Sequence, residues 1–326
     1  MDRYIPQIES ALARFREWKG RDETVVFPYV TDLHSHLTDF ETRDSQKRET
    51  ISHILVMNEA AKRFEADFTA NLGDCGIDVP LKGEQESNEL TEKLIEYHDA
   101  CSNKPVLFAI GNHDIRYNLT PEFWGKTFRK INSGFSIVAP TDGSYGYYDI
   151  PAKKTRAFFL FCNETSERHS DSQVKWLEEN LKNMPQDWCA VIMHHICMIQ
   201  KGHWRARTMN PPHPQFVKIN NMLSDFVRNG GRIAGVFSGD SHFNLNEKVN
   251  GVFYFSSQGY GGTGPSEAPD HALRALDFCD ALGRDDSFDS AMYCLIDLVA
   301  IKYKKRETAI FRIGAGDKEF DVKTNY

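Results

Sequence analysis

The spacing of apolar residues changes from helical to strand-like within the first part of the chain. Five apolar side chains fall three or four positions apart and share one face of a predicted helix that ends near Gly20. They are Ile5, Ile8, Leu12, Phe15 and Trp18. Residues 24–31 are instead β-branched and aromatic, which predicts a strand.

Helices and strands then alternate up to about residue 110. Helices are predicted over residues 51–64 and 88–99, and strands over residues 67–72 and 105–110. An alternation of this kind is typical of a sheet covered by helices.

The second half of the chain has shorter strands, two further helices and a final hairpin. The strands fall at residues 135–138, 145–150, 156–162, 188–193, 232–238 and 252–257, and the helices at 172–181 and 216–228. The hairpin has arms at 292–303 and 308–313. Residues 200–214 and 259–289 have no periodic pattern and are predicted to be long loops, which are usually functional or mobile in compact domains. Because no linker or repeat interrupts the pattern, we expect one domain over residues 1–326.

Composition excludes several classes of protein. Hydrophobic residues make up 40% and charged residues 26%, which is ordinary for a globular chain. The net charge of -7 disfavours duplex nucleic acid as the main partner. No apolar run is long enough to span a membrane, and the start lacks the apolar segment of a secretion signal. The seven cysteines are scattered without C-x-x-C spacing, so we expect reduced cysteines and a cytoplasmic location.

Polar side chains with metal-binding atoms recur where the predicted strands end. They are Asp32, His34 and His36; Asp74; Asn112, His113 and Asp114; Asn163; His194 and His195; and Asp240 and His242. Ligands of open α/β sheets bind beyond the carboxyl ends of the strands, so these distant residues are expected to converge. Carboxylate, imidazole and amide ligands together suit divalent or trivalent metals, and a shared carboxylate can hold two ions about 3.5 to 4 Å apart.

The order of these blocks resembles the calcineurin-like metallophosphoesterase superfamily. The matching blocks are Asp32-x-His34, Gly73-Asp74, Gly111-Asn112-His113-Asp114, His194 and Gly239-x-x-His242, and a Gln173-x-x-Trp176-Leu177 segment is also similar. The resemblance covers roughly residues 24–258. It implies an α/β (α+β) fold, a four-layer sandwich of two mixed β-sheets flanked by helices.

The resemblance also implies a role for each residue of the matching blocks. One metal would be held by Asp32, His34, Asp74 and His242, and the other by Asp74, Asn112, His194 and the residue at position 240. His113 would stabilise the transition state or protonate the leaving oxygen, and Asp114 would orient its ring. The cofactors would be two metal ions, manganese, iron, zinc or magnesium.

Two positions depart from the family pattern. Asp240 stands where the family usually has the first histidine of G-H-x-H, so it either ligates the second metal as a carboxylate or turns away and leaves that site weak. His194-His195-Ile196 stands where the family often has His-His-Pro. The motif assigns ligation to His194, and His195 is interpreted as a supporting or packing residue.

These features predict a metal-dependent phosphoesterase that hydrolyses a phosphomonoester or phosphodiester with a metal-bridging hydroxide. The expected partner is a small phosphorylated substrate, selected by a rim formed by residues 200–214 and 259–289. Arg116, Arg205 and Arg207 are candidates for phosphate recognition because a guanidinium binds two oxygens at once. The alternatives are a nuclease or cyclic-nucleotide phosphodiesterase on the same site, and a binding or scaffold protein whose metal site has decayed.

Overall fold

The helices and strands of the structure follow the predicted alternation. The computed structural model describes residues 4–33, 49–75, 97–98, 104–112, 114–115, 120–140, 143–161, 169–199, 214–240, 244–257, 295–314 and 321–326. We label five helices in this part of the chain: α1 (Ile5–Lys19), α2 (Glu49–Arg63), α3 (Pro121–Ile131), α4 (Asp171–Lys182) and α5 (Pro214–Arg228). A short 3-10 helix spans Pro151–Lys153.

The strands form two mixed sheets. In chain order they are β1 (Val25–Val30), β2 (Thr69–Asn71), β3 (Val106–Phe108), β4 (Ile137–Val138), β5 (Gly146–Ile150), β6 (Thr155–Phe159), β7 (Cys189–Ile196), β8 (Ile233–Gly239), β9 (Leu245–Val249), β10 (Val252–Ser256), β11 (Leu295–Lys302), β12 (Glu307–Gly314) and β13 (Val322–Asn325). The first sheet has the order β13-β12-β11-β1-β2-β3, and the second has the order β4-β5-β6-β7-β8-β10-β9.

Three buried apolar clusters separate the layers. One cluster packs α1, α2 and α3 against the first sheet, and another packs α4 and α5 against the second. The third lies between the two sheets and contains Phe27, Phe68 and Phe237. The layers therefore run helices, sheet, sheet, helices, which confirms the predicted four-layer sandwich of two mixed sheets.

Parallel pairing brings the metal-capable loops to one end of the sandwich. In the first sheet β1, β2 and β3 are parallel neighbours, and in the second β6, β7, β8 and β10 are parallel neighbours. The strand ends are linked beyond the ladder by backbone hydrogen bonds, including Asp32 N to Gly73 O at 2.9 Å and Ala109 N to Asn71 O at 2.8 Å. The loops after β1, β2 and β3 are therefore held side by side.

Some elements go beyond the sequence-based expectation. Helix α3 and the edge strands β9 and β13 are not among the predicted elements. The predicted helix at 88–99 and the long loops at 200–214 and 259–289 lie wholly or largely outside the described residues. Helix α3 nevertheless has an ordinary start signal, because the Thr120 hydroxyl accepts a hydrogen bond from Phe123 N at 3.3 Å and a proline follows it.

Candidate metal centre

Two aspartates and one histidine meet at the carboxyl ends of the strands. One ligand atom from each of Asp32, Asp74 and His195 lies within 4.8 Å of the other two, and all three residues are buried. Asp32 follows β1, Asp74 follows β2, and His195 lies near the end of β7 in the other sheet. The cluster thus joins the two sheets, as the ends of parallel strands allow.

A fourth residue, Asp240, lies against this cluster. It follows β8, and one of its carboxylate oxygens lies 3.9 Å from Nε2 of His195. Its backbone nitrogen donates hydrogen bonds to both carboxylate oxygens of Asp32, each at 3.1 Å. The Thr31 hydroxyl also donates to Asp32, at 2.7 Å. Asp32 therefore holds the β8 loop of the second sheet to the end of the first.

The backbone at all three aspartates has a positive φ. The angles are 54° at Asp32, 52° at Asp74 and 58° at Asp240. Aspartate tolerates this region better than most residues, but such a conformation still costs on the order of 1 to 3 kcal/mol and is concentrated at functional sites. The same left-handed backbone at the ends of β1, β2 and β8 points to a site at which the surrounding structure maintains the strain.

The two adjacent histidines occupy opposite faces of β7. Val191 and Met193 face the core between the sheets, and His195 lies on that side too, because its ring contacts Leu72 and Asp74 of the first sheet. His194 instead points to the helical side, where its ring centroid lies 5.9 Å from that of His169. Among the described residues, His195 is therefore the histidine that lies with the carboxylates, and His194 is not part of that group.

The contacts of His195 are those of a metal-binding histidine. Its Nδ1 lies 2.7 Å from the carbonyl oxygen of Leu72, so Nδ1 carries a proton and Nε2 is the nitrogen that can bind a metal. Nε2 lies 3.1 Å from Asp74 Oδ2. Metal-binding histidines commonly donate their other nitrogen to a carbonyl in this way.

The two histidines differ in electrostatics as well. Burial opposes a charge on His195, but Asp74, Asp32 and Asp240 outweigh it and raise its pKa well above the ordinary value. Burial lowers the pKa of His194 well below the ordinary value, and no carboxylate offsets the effect. The carboxylate cluster thus favours positive charge beside it, and a bound cation would satisfy that demand.

The remaining described donors also fit a metal. The side-chain oxygen of Asn112 is buried and has no hydrogen-bond partner among the described residues. A buried polar atom without a partner costs free energy, and native structures usually pair such atoms. Carboxylate oxygens, an amide oxygen and an imidazole nitrogen together form a donor set suited to divalent or trivalent metals. The residues present therefore fit the implied metal centre.

Asp114 connects two of the loops that carry donors. Its Oδ2 accepts hydrogen bonds from Asp74 N at 2.9 Å and from Gly111 N at 2.8 Å. Asp114 therefore links the loop that follows β2 to the loop that follows β3. The expected partner of Asp114, His113, lies outside the described residues, so its predicted role in orienting that ring stays a prediction.

Asn71 and His98 support Asp74 from behind, and the sequence did not single them out for this role. The side-chain oxygen of Asn71 accepts from Gly73 N at 3.1 Å, and its amide nitrogen lies 3.2 Å from Nε2 of His98. Burial lowers the pKa of His98 to about 3, so the ring stays neutral and accepts from Asn71. The contact fixes the amide orientation and, through it, the turn that precedes Asp74.

Several predicted site residues fall outside the described part of the chain. They are His34, His36, His113, His242, Arg116, Arg205 and Arg207, and the predicted rim loops at 200–214 and 259–289 lie almost entirely outside it too. Their assignments remain predictions.

Glycine at position 239 allows the two sheets to approach at the cluster. A Cβ at Gly239 would lie 2.5 Å from Asp32 Oδ2 and would also overlap the Thr31 hydroxyl. We therefore expect Gly239→Ala to lower the free energy of unfolding by about 1 to 3 kcal/mol, as overpacking usually does. Chemical denaturation measures the change. Gly134→Ala is the control, because a Cβ there meets nothing within 4 Å, and an equal loss in both variants would contradict the argument.

The chain matches a known sequence family. A sequence model described as calcineurin-like phosphoesterase matches residues 29–244, which is more than half of the chain. The chain belongs to the calcineurin-like phosphoesterase family. The matched region contains every residue of the cluster and confirms the resemblance found in the sequence. No curated protein matches the chain significantly.

Solved structures share the calcineurin-like fold at low sequence identity. A dimetal phosphatase from Danio rerio has 13% identity and a TM-score of 0.61, with 93% of this chain and 99% of that chain covered. GAP50, described as the anchor in the inner membrane complex of Plasmodium, has 10% identity and a TM-score of 0.53, with 93% and 89% covered. Purple acid phosphatase PPD1 from yellow lupin seeds has 11% identity and a TM-score of 0.53. The alignment covers 93% of this chain but 54% of that phosphatase.

None of the helices in the described residues is long and apolar enough to cross a bilayer.

Proposed function

We propose that this member of the calcineurin-like phosphoesterase family hydrolyses a phosphomonoester or phosphodiester with the help of two metal ions. The observation that carries the proposal is the buried cluster of Asp32, Asp74 and His195, in which Nε2 of the histidine faces the carboxylates. Family membership supports a metal-dependent phosphoesterase. The number of ions, their identity and the substrate belong to the proposal.

The proposed ligands combine described residues with the sequence motifs. Asp74 is the shared carboxylate, with Asp32, His34 and His242 on one side and Asn112, His195 and Asp240 on the other. His195 replaces His194 in this set because of its position on β7. Asp240 is retained as a ligand because its carboxylate lies beside His195 rather than away from the cluster. Bound ions in such a centre supply charge neutralisation for phosphate oxygens and hydroxide near neutral pH.

The remaining side chains are proposed to position the substrate and move protons. His113 donates a hydrogen bond to the phosphoryl group as charge builds up, or a proton to the leaving oxygen. Asp114 secures the loop that carries His113, because its carboxylate accepts a hydrogen bond from the backbone nitrogen of Gly111, two residues before His113. Arg116, Arg205 and Arg207 are proposed to bind phosphate oxygens. The substrate is a small phosphorylated molecule, and the net charge of -7 argues against extended nucleic acid.

The proposed cellular location is the cytoplasm. Three described cysteines, Cys75, Cys189 and Cys197, are buried and free. Free thiols are typical of reducing compartments, which supports the proposal.

Metal content and turnover test the proposed function together. We expect purified protein dialysed against Mn²⁺ to retain about two ions per chain and to hydrolyse an aryl phosphate monoester or diester. Elemental analysis and release of the aryl alcohol are the measurements. Comparison of monoester, diester, cyclic nucleotides and oligonucleotides separates a phosphatase from a phosphodiesterase or nuclease. Protein without bound metal and without turnover would contradict the proposal and favour a scaffold, a role consistent with GAP50, the anchor that shares the fold.

A further inference from the structure

The turn that carries Asp74 has an unusual backbone and fits closely against its surroundings. Gly73 and Asp74 follow one another with positive φ angles of 99° and 52°. A Cβ at Gly73 would lie 2.7 Å from Ala109 O and 2.7 Å from His195 Nδ1, so glycine is needed for the close approach of the chain after β3 and of β7. The peptide groups of this turn therefore set the direction of the Asp74 side chain.

Hydrogen bonds hold both backbone polar groups of Gly73. The carbonyl oxygen accepts from Asp32 N at 2.9 Å, and the nitrogen donates to Oδ1 of Asn71 at 3.1 Å. Asp32 is itself a member of the buried cluster. Asn71 is the last residue of β2 and is fully buried, so it holds the turn from within the first sheet.

His98 fixes the direction of the Asn71 amide. Nδ2 of Asn71 lies 3.2 Å from Nε2 of His98. Because Oδ1 of Asn71 accepts from Gly73 N, the group that faces His98 is the NH₂ donor, and Nε2 of the neutral ring is the acceptor. A rotated amide would place its NH₂ group against Gly73 N, so that two donors would face each other. The imidazole therefore keeps the Asn71 oxygen on the side of the turn.

Packing alone gives a weak account of a histidine at position 98. The ring is fully buried and lies edge-on to Phe108, with 4.9 Å between the ring centroids. Its Nδ1 has no hydrogen-bond partner among the described residues. A buried polar nitrogen without a partner costs free energy, so a hydrocarbon ring would suit the packing better. What the imidazole adds is the contact with Asn71.

We propose that Asn71 and His98 are positioning residues that set the metal affinity of the centre by fixing the turn before Asp74. The inference rests on the proposed function, in which Asp74 is the shared carboxylate. A turn that is held before the metal arrives loses less conformational freedom on binding. Partners that orient metal ligands typically contribute 10- to 100-fold in metal affinity or activity, and we expect an effect in about that range.

His98→Phe tests the network while an aromatic ring is kept against Phe108. The substitution removes the acceptor for the Asn71 amide. We expect the full-length variant to bind Mn²⁺ about 10-fold more weakly in calorimetric titration, and its Gly73 amide hydrogen to exchange faster in the metal-free protein. Turnover at saturating Mn²⁺ should recover towards the wild-type value, since no proposed ligand is changed. His98→Gln should restore most of the affinity because its side-chain oxygen can accept from Asn71.

Asn71→Ala removes both contacts and should weaken Mn²⁺ binding by about 10- to 100-fold. In that background His98→Phe should cause no further loss, because His98 acts through Asn71. Asn132→Ala is the matched control. Asn132 is also buried, and its side chain bonds to the backbone nitrogen and oxygen of Val106, each at 2.9 Å, at the far end of β3. Its substitution should lower the midpoint of chemical denaturation and leave Mn²⁺ affinity unchanged.

The outcomes separate the network from the proposed function. Unchanged Mn²⁺ affinity in His98→Phe or in Asn71→Ala would overturn the network while leaving the proposed function intact. An equal loss of affinity in Asn132→Ala would also overturn it, because the effect would then reflect general destabilisation. Additive losses in the double variant would show that His98 does not act through Asn71. Wild-type protein that binds no Mn²⁺ would overturn the proposed function, and the network with it.

Discussion

His195→Ala is expected to weaken metal binding and to lower turnover by more than about 100-fold, because it removes a proposed ligand of the centre, not only a supporting contact. In the structure Nε2 of His195 lies 3.1 Å from Asp74 Oδ2, and Nδ1 faces the Leu72 carbonyl. Among the described residues, the cluster contains no other histidine. Elemental analysis after dialysis and hydrolysis of an aryl phosphate measure the two effects.

His194→Ala is the matched control for this experiment. The two histidines are adjacent and both are fully buried, so each substitution removes the same side chain from an equally buried position. His194 faces His169 on the helical side of β7, which predicts retained metal content and turnover within about threefold of wild type after packing losses. Loss of metal in His194→Ala with normal metal in His195→Ala would contradict the assignment and restore the one predicted from the motif.

The prediction of His194 and the observed position of His195 differ for a specific reason. The apolar run predicts a strand that ends at residue 193, which treats both histidines as loop residues without a defined face. The observed strand continues to Ile196, and its register with β8 is irregular between Met193 and Ile196. The side on which each histidine lies therefore depends on packing between the sheets, which the sequence pattern does not specify.

Other parts of the site could be read from the sequence because they depend on strand ends. Asp32, Asp74 and Asp240 each follow a run of apolar residues, and the structure brings all three together. The left-handed backbone conformation of these aspartates could not be predicted from the sequence. Glycine often marks such a conformation, whereas aspartate usually adopts others. The support from Asn71 and His98 depends on tertiary contact between distant segments, which no local pattern specifies.

The buried ion pair between Arg312 and Asp297 in the last hairpin could be predicted only in part. The hairpin was predicted with arms that meet at residues 303 and 308, and counting outward from them would pair Asp297 with Gly314, whereas the observed register of β11 and β12 pairs Asp297 with Arg312. What the hairpin cannot reveal is that Asn244 of the other sheet lies against the same guanidinium. Packing of the two sheets creates that contact. The contact between Arg312 and Asn244 could therefore be recognised only once the sheets were placed face to face.

Asp74→Asn is expected to remove both metals and reduce turnover by more than about 1,000-fold, the second large effect that follows from the site. The amide has nearly the same size as the carboxylate and tolerates the positive φ of 52°, so the turn itself should persist. The backbone nitrogen of residue 74 keeps its bond to Asp114 as well. Only the shared negative charge is lost, and with it the oxygen that can serve both ions.

Asp67→Asn provides the comparison at the other end of the same strand. Asp67 precedes β2 and accepts hydrogen bonds from Lys153 at 2.6 and 2.8 Å and from Val26 N at 2.8 Å. Its substitution should lower the free energy of unfolding by no more than about 1 kcal/mol for the partly exposed ion pair. Metal content and turnover should stay unchanged because the residue lies far along the strand from the cluster. If Asp74→Asn retained two ions and near-normal turnover, the carboxylate would not be shared, and the two-metal centre would have to be assigned to other ligands.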